Sequence, residues 1–291
     1  MTLPPAKTSA AMVTASYAPD LERCRLLCET MDRYVTGSSH HYLLVEGRDV
    51  ALFRQLEGPN RTVIDERDLL PAWLHAVWDP TSLFRRRIWL STRTQPMRGW
   101  HVQQLRRMAI GAHVGQDILV YCDSDVAFLK PFDCGAFWRG DKVRLFRRDG
   151  ALPMQGDHPV WSRNAGKALG IANPEISSHD YIATLIAWRR DTLNAMCRHI
   201  EDAHGRPWVQ TVGRARKFSE CMLYGRYVDE VRGGDGHCHD DAELCRVYWT
   251  GPKLDDDGFR AFVEGMAPEQ AAIGMQSFIG TDLARIRKLI G

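Results

Sequence analysis

No stretch of the 291 residues approaches the ~18–20 consecutive apolar positions that a membrane span needs. Charge of one sign is scarce too: the net charge is +2, so nothing global points to nucleic acid or to an anionic surface. The segment Met1–Ala11 has Pro4, Pro5 and one Lys but no apolar core, and reads as a short frayed tail rather than a secretory signal. Eight cysteines (Cys24, Cys28, Cys122, Cys134, Cys197, Cys221, Cys238 and Cys245) form no C-x-x-C pair, and several fall within apolar segments. That usage suits small buried hydrophobes in a reducing compartment, so a disulfide scaffold is not expected and a cytoplasmic protein is. Internal repeats, low-complexity tracts and a convincing linker are all missing.

What remains is the composition of an ordinary globular chain, 44% hydrophobic and 25% charged, long enough for one large α/β domain or two small ones. Met12–Ser16 reads as a strand. Asp20 suits a helix N-cap, and Cys24, Leu27, Cys28, Met31 and Tyr34 recur at helical spacing. His41–Val45 and Arg61–Ile64 follow as strands. This strand–helix–strand opening predicts an open, mostly parallel sheet. Ile88–Leu90 is a further candidate strand. From Gly99 to His113, Val102, Leu105, Met108, Ala109 and Ala112 share a helical face. Ile118–Cys122 is a continuous apolar run, as expected of a central strand covered on both sides. Strands are predicted at Val143–Phe146, Tyr181–Trp188 and Val247–Trp249, and helices from Asp191 and over Phe218–Val228. Gly233–Gly236 reads as a loop, and the residues from Pro268 on read as two short helices.

The chemistry concentrates at Asp123-Ser124-Asp125. D-x-D alone is nearly uninformative, since a chain of this size carries about one by chance. A second lies at Asp255–Asp257, which follows Pro252 without an apolar strand and reads as a solvated loop. Asp123 and Asp125 instead end the most apolar strand, at the sheet edge where ligands bind in open α/β folds. Two carboxylates one residue apart can face one hard divalent cation, Mn²⁺ or Mg²⁺, that also takes phosphate oxygens. Without a cation they would repel a diphosphate.

The run D-S-D followed by V-x-F-L-K-P resembles the D-x-D segment of GT-A glycosyltransferases. Arg98-Gly99-Trp100 with Gln103-Gln104 and Leu105 resembles the R-G-W-x-x-Q-Q run of a group of bacterial GT-A-like proteins, with Arg106 or Arg107 where a Lys is usual. Phe218-Ser219-Glu220 with Leu223-Tyr224-Gly225 and Tyr227 resembles their F-S-E-Y-x-L-Y-G-x-Y run, with Cys221 replacing Tyr. The resemblance covers about residues 12–250. It implies a GT-A nucleotide-sugar-binding domain over 12–250, with 251–291 as a C-terminal helical extension. It also implies transfer of a sugar from a nucleotide-sugar donor, UDP-linked before GDP-linked, to a glycan, lipid-linked or small-molecule acceptor. Ser16, Tyr17 and Asp20 would line the nucleotide pocket, and Arg98, Gln103 and Arg106 would approach the nucleotide or its phosphates. Asp123 would lie near ribose and metal, Asp125 would be the firmer metal ligand, and Glu220 would face the reacting sugars. Asp180, with His179, could meet the acceptor, and His237 or His239 could add a late metal ligand.

Each position has a plainer alternative. Asp123 and Asp125 could be an acidic turn, Glu220 a first-turn carboxylate facing the helix dipole, and the arginines a solvated face. Arg85-Arg86-Arg87 could be bare surface or meet acidic lipid, which leaves peripheral membrane contact open. Trp100 suits a core position better than a stacking platform. Asp235–Asp241 lacks zinc-site spacing and reads as a polar loop over the site. Competing functions are a nucleotidyltransferase, a non-catalytic sugar-nucleotide binder or scaffold, and a metal hydrolase built on the His/Asp loop. The first would need a Gly-rich loop with Lys where Ser16-Tyr17-Ala18-Pro19-Asp20 stands.

Overall fold

The computed structural model describes residues 9–290, with side chains through residue 288. Its principal elements, in chain order, are Ala10–Ala15 (β1), Leu21–Tyr34 (α1), Ser38–Val45 (β2) and Arg61–Asp65 (β3). Gly99–Ala109 (α2), Ile118–Tyr121 (β4), Val126–Phe128 (β5), Lys142–Phe146 (β6) and His158–Ala168 (α3) follow. Next come Ile186–Arg189 (β7), Arg190–His204 (α4), Glu220–Arg226 (α5), His237–Asp240 (β8) and Cys245–Tyr248 (β9). Asp256–Glu264 (α6), Ala272–Met275 (β10) and Leu283–Ile290 (α7) complete the order.

The main sheet runs β7-β4-β1-β2-β3. Its first four sequence strands are parallel, and β7 lies antiparallel against β4. The protein is thus a mixed α/β fold, with several sheets, mostly parallel, flanked by helices. The period of two decides what each face packs against. Ala11, Val13 and Ala15 of β1 join Leu119 and Tyr121 of β4 in a core that includes Val102 and Leu105 of α2. Ala10, Met12, Ile118 and Val120 point the other way, against Leu27 and Met31 of α1. Both faces are covered, which is why Ile118–Tyr121 reads as an unbroken apolar run.

Three fully buried rings brace the middle. Trp188 of β7 stacks on Tyr224 of α5, with ring centroids 4.6 Å apart, and touches Tyr121 of β4 at 4.5 Å. The Tyr224 hydroxyl accepts from Arg189 N at 2.9 Å and meets His237 Nε2 at 2.8 Å, so the polar end of a buried ring is satisfied. These contacts hold α5 against β7 and β8.

Several sequence expectations are corrected. Ala10 and Ala11 are the buried start of β1 rather than a tail, and residues 1–8 lie outside the described residues. The strand expected over Tyr181–Trp188 starts only at Ile186, because Asp180 bridges to Arg148 and Leu185 turns the backbone through φ 62°. Residues 237–240 are not a loop over the site but β8, parallel to β6. Beyond Pro268 the chain contributes β10, paired with β9 and β5, besides helix α7. Helix α3 escapes the hydrophobic pattern because the side it buries carries Ser162, Ala165, Gly166 and Ala168. Asp255 is no bare loop acid: its carboxylate caps α6 through Gly258 N at 2.8 Å.

Candidate functional site

From β1 the sheet grows outward through β2 and β3 on one side, and β4 lies on the other. This reversal of strand order lies at the carboxyl ends of β1 and β4, where open α/β sheets form their ligand-binding crevice. Residues 16–20 leave β1 there, and residues 122–125 leave β4. Ser124-Asp125 forms a tight turn, with Val126 N donating to Asp123 O at 3.3 Å, and Met275 N of β10 donates to Asp125 O at 3.1 Å.

The two aspartates have different surroundings. Burial, with the like charges of Asp123 and Asp20, pushes the Asp125 carboxyl up to about 7, and Arg23 offsets only part of this. Asp123 and Asp20 thus act on Asp125 as like charges, while Arg23 lies 3.8 Å from Asp20 Oδ1. Asp123 is held from the other side: Arg107 Nη1 donates to its Oδ1 at 3.3 Å, and the Thr184 hydroxyl lies 3.5 Å from Oδ2.

Arg107 also reaches Glu220 Oε1 at 3.2 Å, which makes it a bridge between the strand-end aspartate and the start of α5. Burial alone would weaken the Arg107 charge, but Glu220 and Asp123 outweigh it and hold the guanidinium firmly protonated. Tyr121 braces it, donating from its hydroxyl to Arg107 O at 2.8 Å beneath the guanidinium. Glu220 opens α5 after Ser219, whose hydroxyl accepts from Met222 N at 3.4 Å as a helix cap. Gln104 Oε1 takes the Glu220 backbone N–H at 3.0 Å. Burial raises the Glu220 carboxyl above the ordinary range while Arg107 pulls it down.

The other predicted positions divide. Asp20 and Tyr17 lie at the crevice; Tyr17 is 46% exposed at its lip, and Asp20 acts on Asp125. Ser16 follows β1 and is buried, its hydroxyl without a hydrogen-bond partner among the described residues. Arg106 does not serve the site: its Nε donates to Glu66 Oε2 at 2.8 Å, and the pair is buried beneath Trp89. Arg98 is exposed at the start of α2, and Gln103 is half-buried without a contact to Asp123 or Glu220. Trp100, expected in the core, is half-exposed beside Trp161. Asp180 closes a turn by accepting from Ile182 N at 3.0 Å.

His239 is engaged elsewhere, with Nε2 2.7 Å from Asp229 Oδ1 and 3.2 Å from Arg147 Nη1. Asp229 and Arg147 also line a cleft of about 310 Å³ at the far end of α5, together with Tyr181 and Ser177. This cleft does not include Asp123, Asp125 or Glu220. Among the described residues, no three His, Cys, Asp or Glu side chains form a ready-made metal cage. Arg107, Gln104 and Thr184 are the site residues that pattern reading passed over or left unresolved. The available signal was the i, i+3 spacing of Gln104 and Arg107, which puts both on the side of α2 that faces α5.

Comparison with protein families matches residues 7–265, most of the chain, to a family of unknown function, DUF6492. The chain belongs to the DUF6492 family. No curated protein matches it. The matched span of this DUF6492 chain contains every residue of the crevice, from Ser16 to Glu220.

Proposed function

We propose that this DUF6492 chain is a metal-dependent glycosyltransferase of the GT-A type, moving a sugar from a nucleotide-sugar to a carbohydrate or lipid-linked acceptor. The observation that carries the reading is the meeting, at the strand-order reversal, of Asp20, Asp123 and Asp125 with the Arg107–Glu220 pair. The parallel order β3-β2-β1-β4 with antiparallel β7 supports a nucleotide-binding crevice at this point.

The residues fit a hard divalent cation. Asp125 faces the like charges of Asp123 and Asp20 and, among the described residues, has no ion-pair partner, and Asp123 keeps only long contacts of 3.3 and 3.5 Å. Mn²⁺ or Mg²⁺ bound there would offset the charge of the departing nucleoside diphosphate. Asp125 is the principal ligand in this scheme, with Asp123 between metal and donor. Tyr17, at the lip, offers an aromatic face to the nucleobase. Glu220 supplies a carboxylate beyond the diphosphate; in an inverting reaction it takes the acceptor proton, and Arg107 keeps it aimed and charged. A UDP-sugar, or a GDP-sugar, is the donor class.

The test is thermal denaturation with UDP, GDP and CDP, with and without Mn²⁺. One nucleotide should raise Tm only when the metal is present, by an amount that follows RT ln(1 + [L]/Kd). Absence of any metal-dependent shift, together with absence of sugar-nucleotide hydrolysis, overturns the proposal. Persistence of the shift in Asp125→Ala would move the site elsewhere.

A further inference from the structure

Between the Asp79 turn and Asp117 the chain carries no acidic residue but seven arginines: Arg85, Arg86, Arg87, Arg93, Arg98, Arg106 and Arg107. Three are used internally, Arg87 by Glu46, Arg106 by Glu66, and Arg107 by Asp123 and Glu220. Arg85, Arg86, Arg93 and Arg98 are exposed, and among the described residues none has a carboxylate within ion-pair distance.

This segment projects as a hairpin, with His75–Trp78 antiparallel to Arg87–Leu90. At its tip stand the two most conspicuously placed apolar side chains of that hairpin, Leu83 at 76% and Phe84 at 62% exposure. Both have positive φ, 53° and 58°, a conformation costly for side chains of this size. The tip is nevertheless well built. Buried Asp79 accepts from Thr81 N at 2.9 Å and from its hydroxyl at 2.7 Å, and its carbonyl takes Phe84 N at 3.1 Å. Asp79 N in turn donates to Arg86 O at 2.9 Å, and Arg86 N donates to the Ser82 hydroxyl at 2.9 Å. A fold that spends backbone strain and a buried carboxylate to hold Leu and Phe in water recovers that cost only when the tip is covered.

Beside the tip, Arg86 comes within electrostatic reach of Tyr17, and its charge acts on the phenol. Arg23 ties Ser277 to the same place, its Nη2 donating to Ser277 O at 3.4 Å while its Nε lies 3.8 Å from Asp20 Oδ1. Phe278, next to Ser277, is 73% exposed. Exposed apolar side chains, Leu83, Phe84 and Phe278, thus lie close in sequence to residues that act at Tyr17 or are tied through Arg23 to Asp20, and Arg85 and Arg86 accompany them without an ion-pair partner among the described residues.

The geometry points to an anionic lipid bilayer as what covers this rim: Leu83 and Phe84 enter the acyl boundary, while Arg85 and Arg86 meet lipid phosphates. Apolar side chains that project beyond a cationic collar match a surface that is negative at its face and hydrocarbon beneath. A nucleic acid offers the charge but no place for Leu83, and a purely apolar protein face would leave the arginines without partners. The crevice then opens toward the membrane, so its acceptor is a lipid-linked saccharide; this last step rests on the function proposed above, whereas the docking does not.

The experiment is vesicle co-sedimentation of the full chain without nucleotide, using phosphatidylcholine alone and phosphatidylcholine mixed with phosphatidylglycerol. Binding to the anionic vesicles should be salt-sensitive and at least about tenfold tighter than to the neutral ones. Leu83→Ser with Phe84→Ser should weaken it by about tenfold or more, and Arg85→Gln with Arg86→Gln should remove the preference for anionic lipid. Phe84→Trp should retain binding and show a blue-shifted emission on the anionic vesicles. Binding that the Ser pair leaves unchanged, or no binding to anionic vesicles, overturns the inference. So does a wild-type dimer that the Ser pair dissociates, which would make the tip a contact between copies. Loss of the Mn²⁺-dependent nucleotide shift in the Arg pair, with vesicle binding intact, also overturns it by assigning those arginines to the donor. Vesicle binding with neither a nucleotide shift nor sugar-nucleotide hydrolysis leaves the docking standing and removes the glycosyltransferase reading alone.

Discussion

Arg107 stands 3.2 Å from Glu220, a residue more than a hundred positions away, and holds it in one electrostatic unit with Asp123. Glu220 is buried, and its carboxyl would be costly there without that guanidinium. Arg107→Ala should therefore cost roughly 3 kcal/mol of stability by stranding buried charge, and Arg107→Lys less, about 1–2 kcal/mol, since it keeps the charge but not the fork. Urea unfolding of both variants beside wild type measures the difference; equal losses would mean that charge is not what Arg107 contributes.

Glu220→Gln keeps the shape of the side chain and removes its basicity. Turnover of a nucleotide-sugar should fall about 100-fold or more, with the Mn²⁺-dependent nucleotide shift retained. Wild-type turnover in this variant would reduce Glu220 to a helix-start carboxylate.

Asp125 makes a prediction with a definite sign. Its folded value of about 7 lies above the ordinary carboxylate range, so the folded state keeps a proton that the unfolded state has released. The stability this represents is complete below about pH 4 and is lost as pH rises toward 7. In chelator, Asp125→Asn should flatten that decline and leave the variant roughly 1–2 kcal/mol more stable than wild type at pH 8. The same variant should lose the stabilisation by Mn²⁺ plus nucleotide. Calorimetry at several pH values reads both effects, and a variant that is less stable at pH 8 would contradict the burial and like charges that raise Asp125.

Arg106 is the control for Arg107. Removing it in Arg106→Ala leaves Glu66 buried and unpaired, which should cost about 3 kcal/mol while the folded fraction binds nucleotide with unchanged affinity. An affinity drop measured well below the melting temperature would place Arg106 at the donor after all.

Gly225 tests the seat of α5. A Cβ there would fall 2.2 Å from Tyr181 Cγ and Cδ1, and the ring cannot retreat without straining its 2.6 Å bond to Asp229. Gly225→Ala should destabilise the chain by about 2 kcal/mol or more despite the better helix propensity of Ala. An unchanged urea midpoint would show that the ring moves freely.

The local parts of the site were legible in the sequence because their causes are local. Ile118–Tyr121 is apolar because both of its faces are covered, and a turn must follow it; Ser219 before Glu220 is a cap signal written in adjacent residues. Helix α3 was invisible because close packing demanded small residues such as Gly166, which sits against Pro174, and small residues leave no hydrophobic period.

The sequence by itself determined that Asp123 and Asp125 end a central strand and that Glu220 begins a helix. Only the tertiary structure decided which neighbours serve them. Arg106 and Arg107 are adjacent and chemically alike, yet one is taken by Glu66, forty residues upstream, and the other by Glu220. His239 carries a metal-binding side chain but lies on β8, held by Asp229 and Arg147. The physical reason is the same in each case. An ionisable side chain acquires its role from the charge it faces, and that charge is brought to it by a distant strand or helix, which no local pattern encodes.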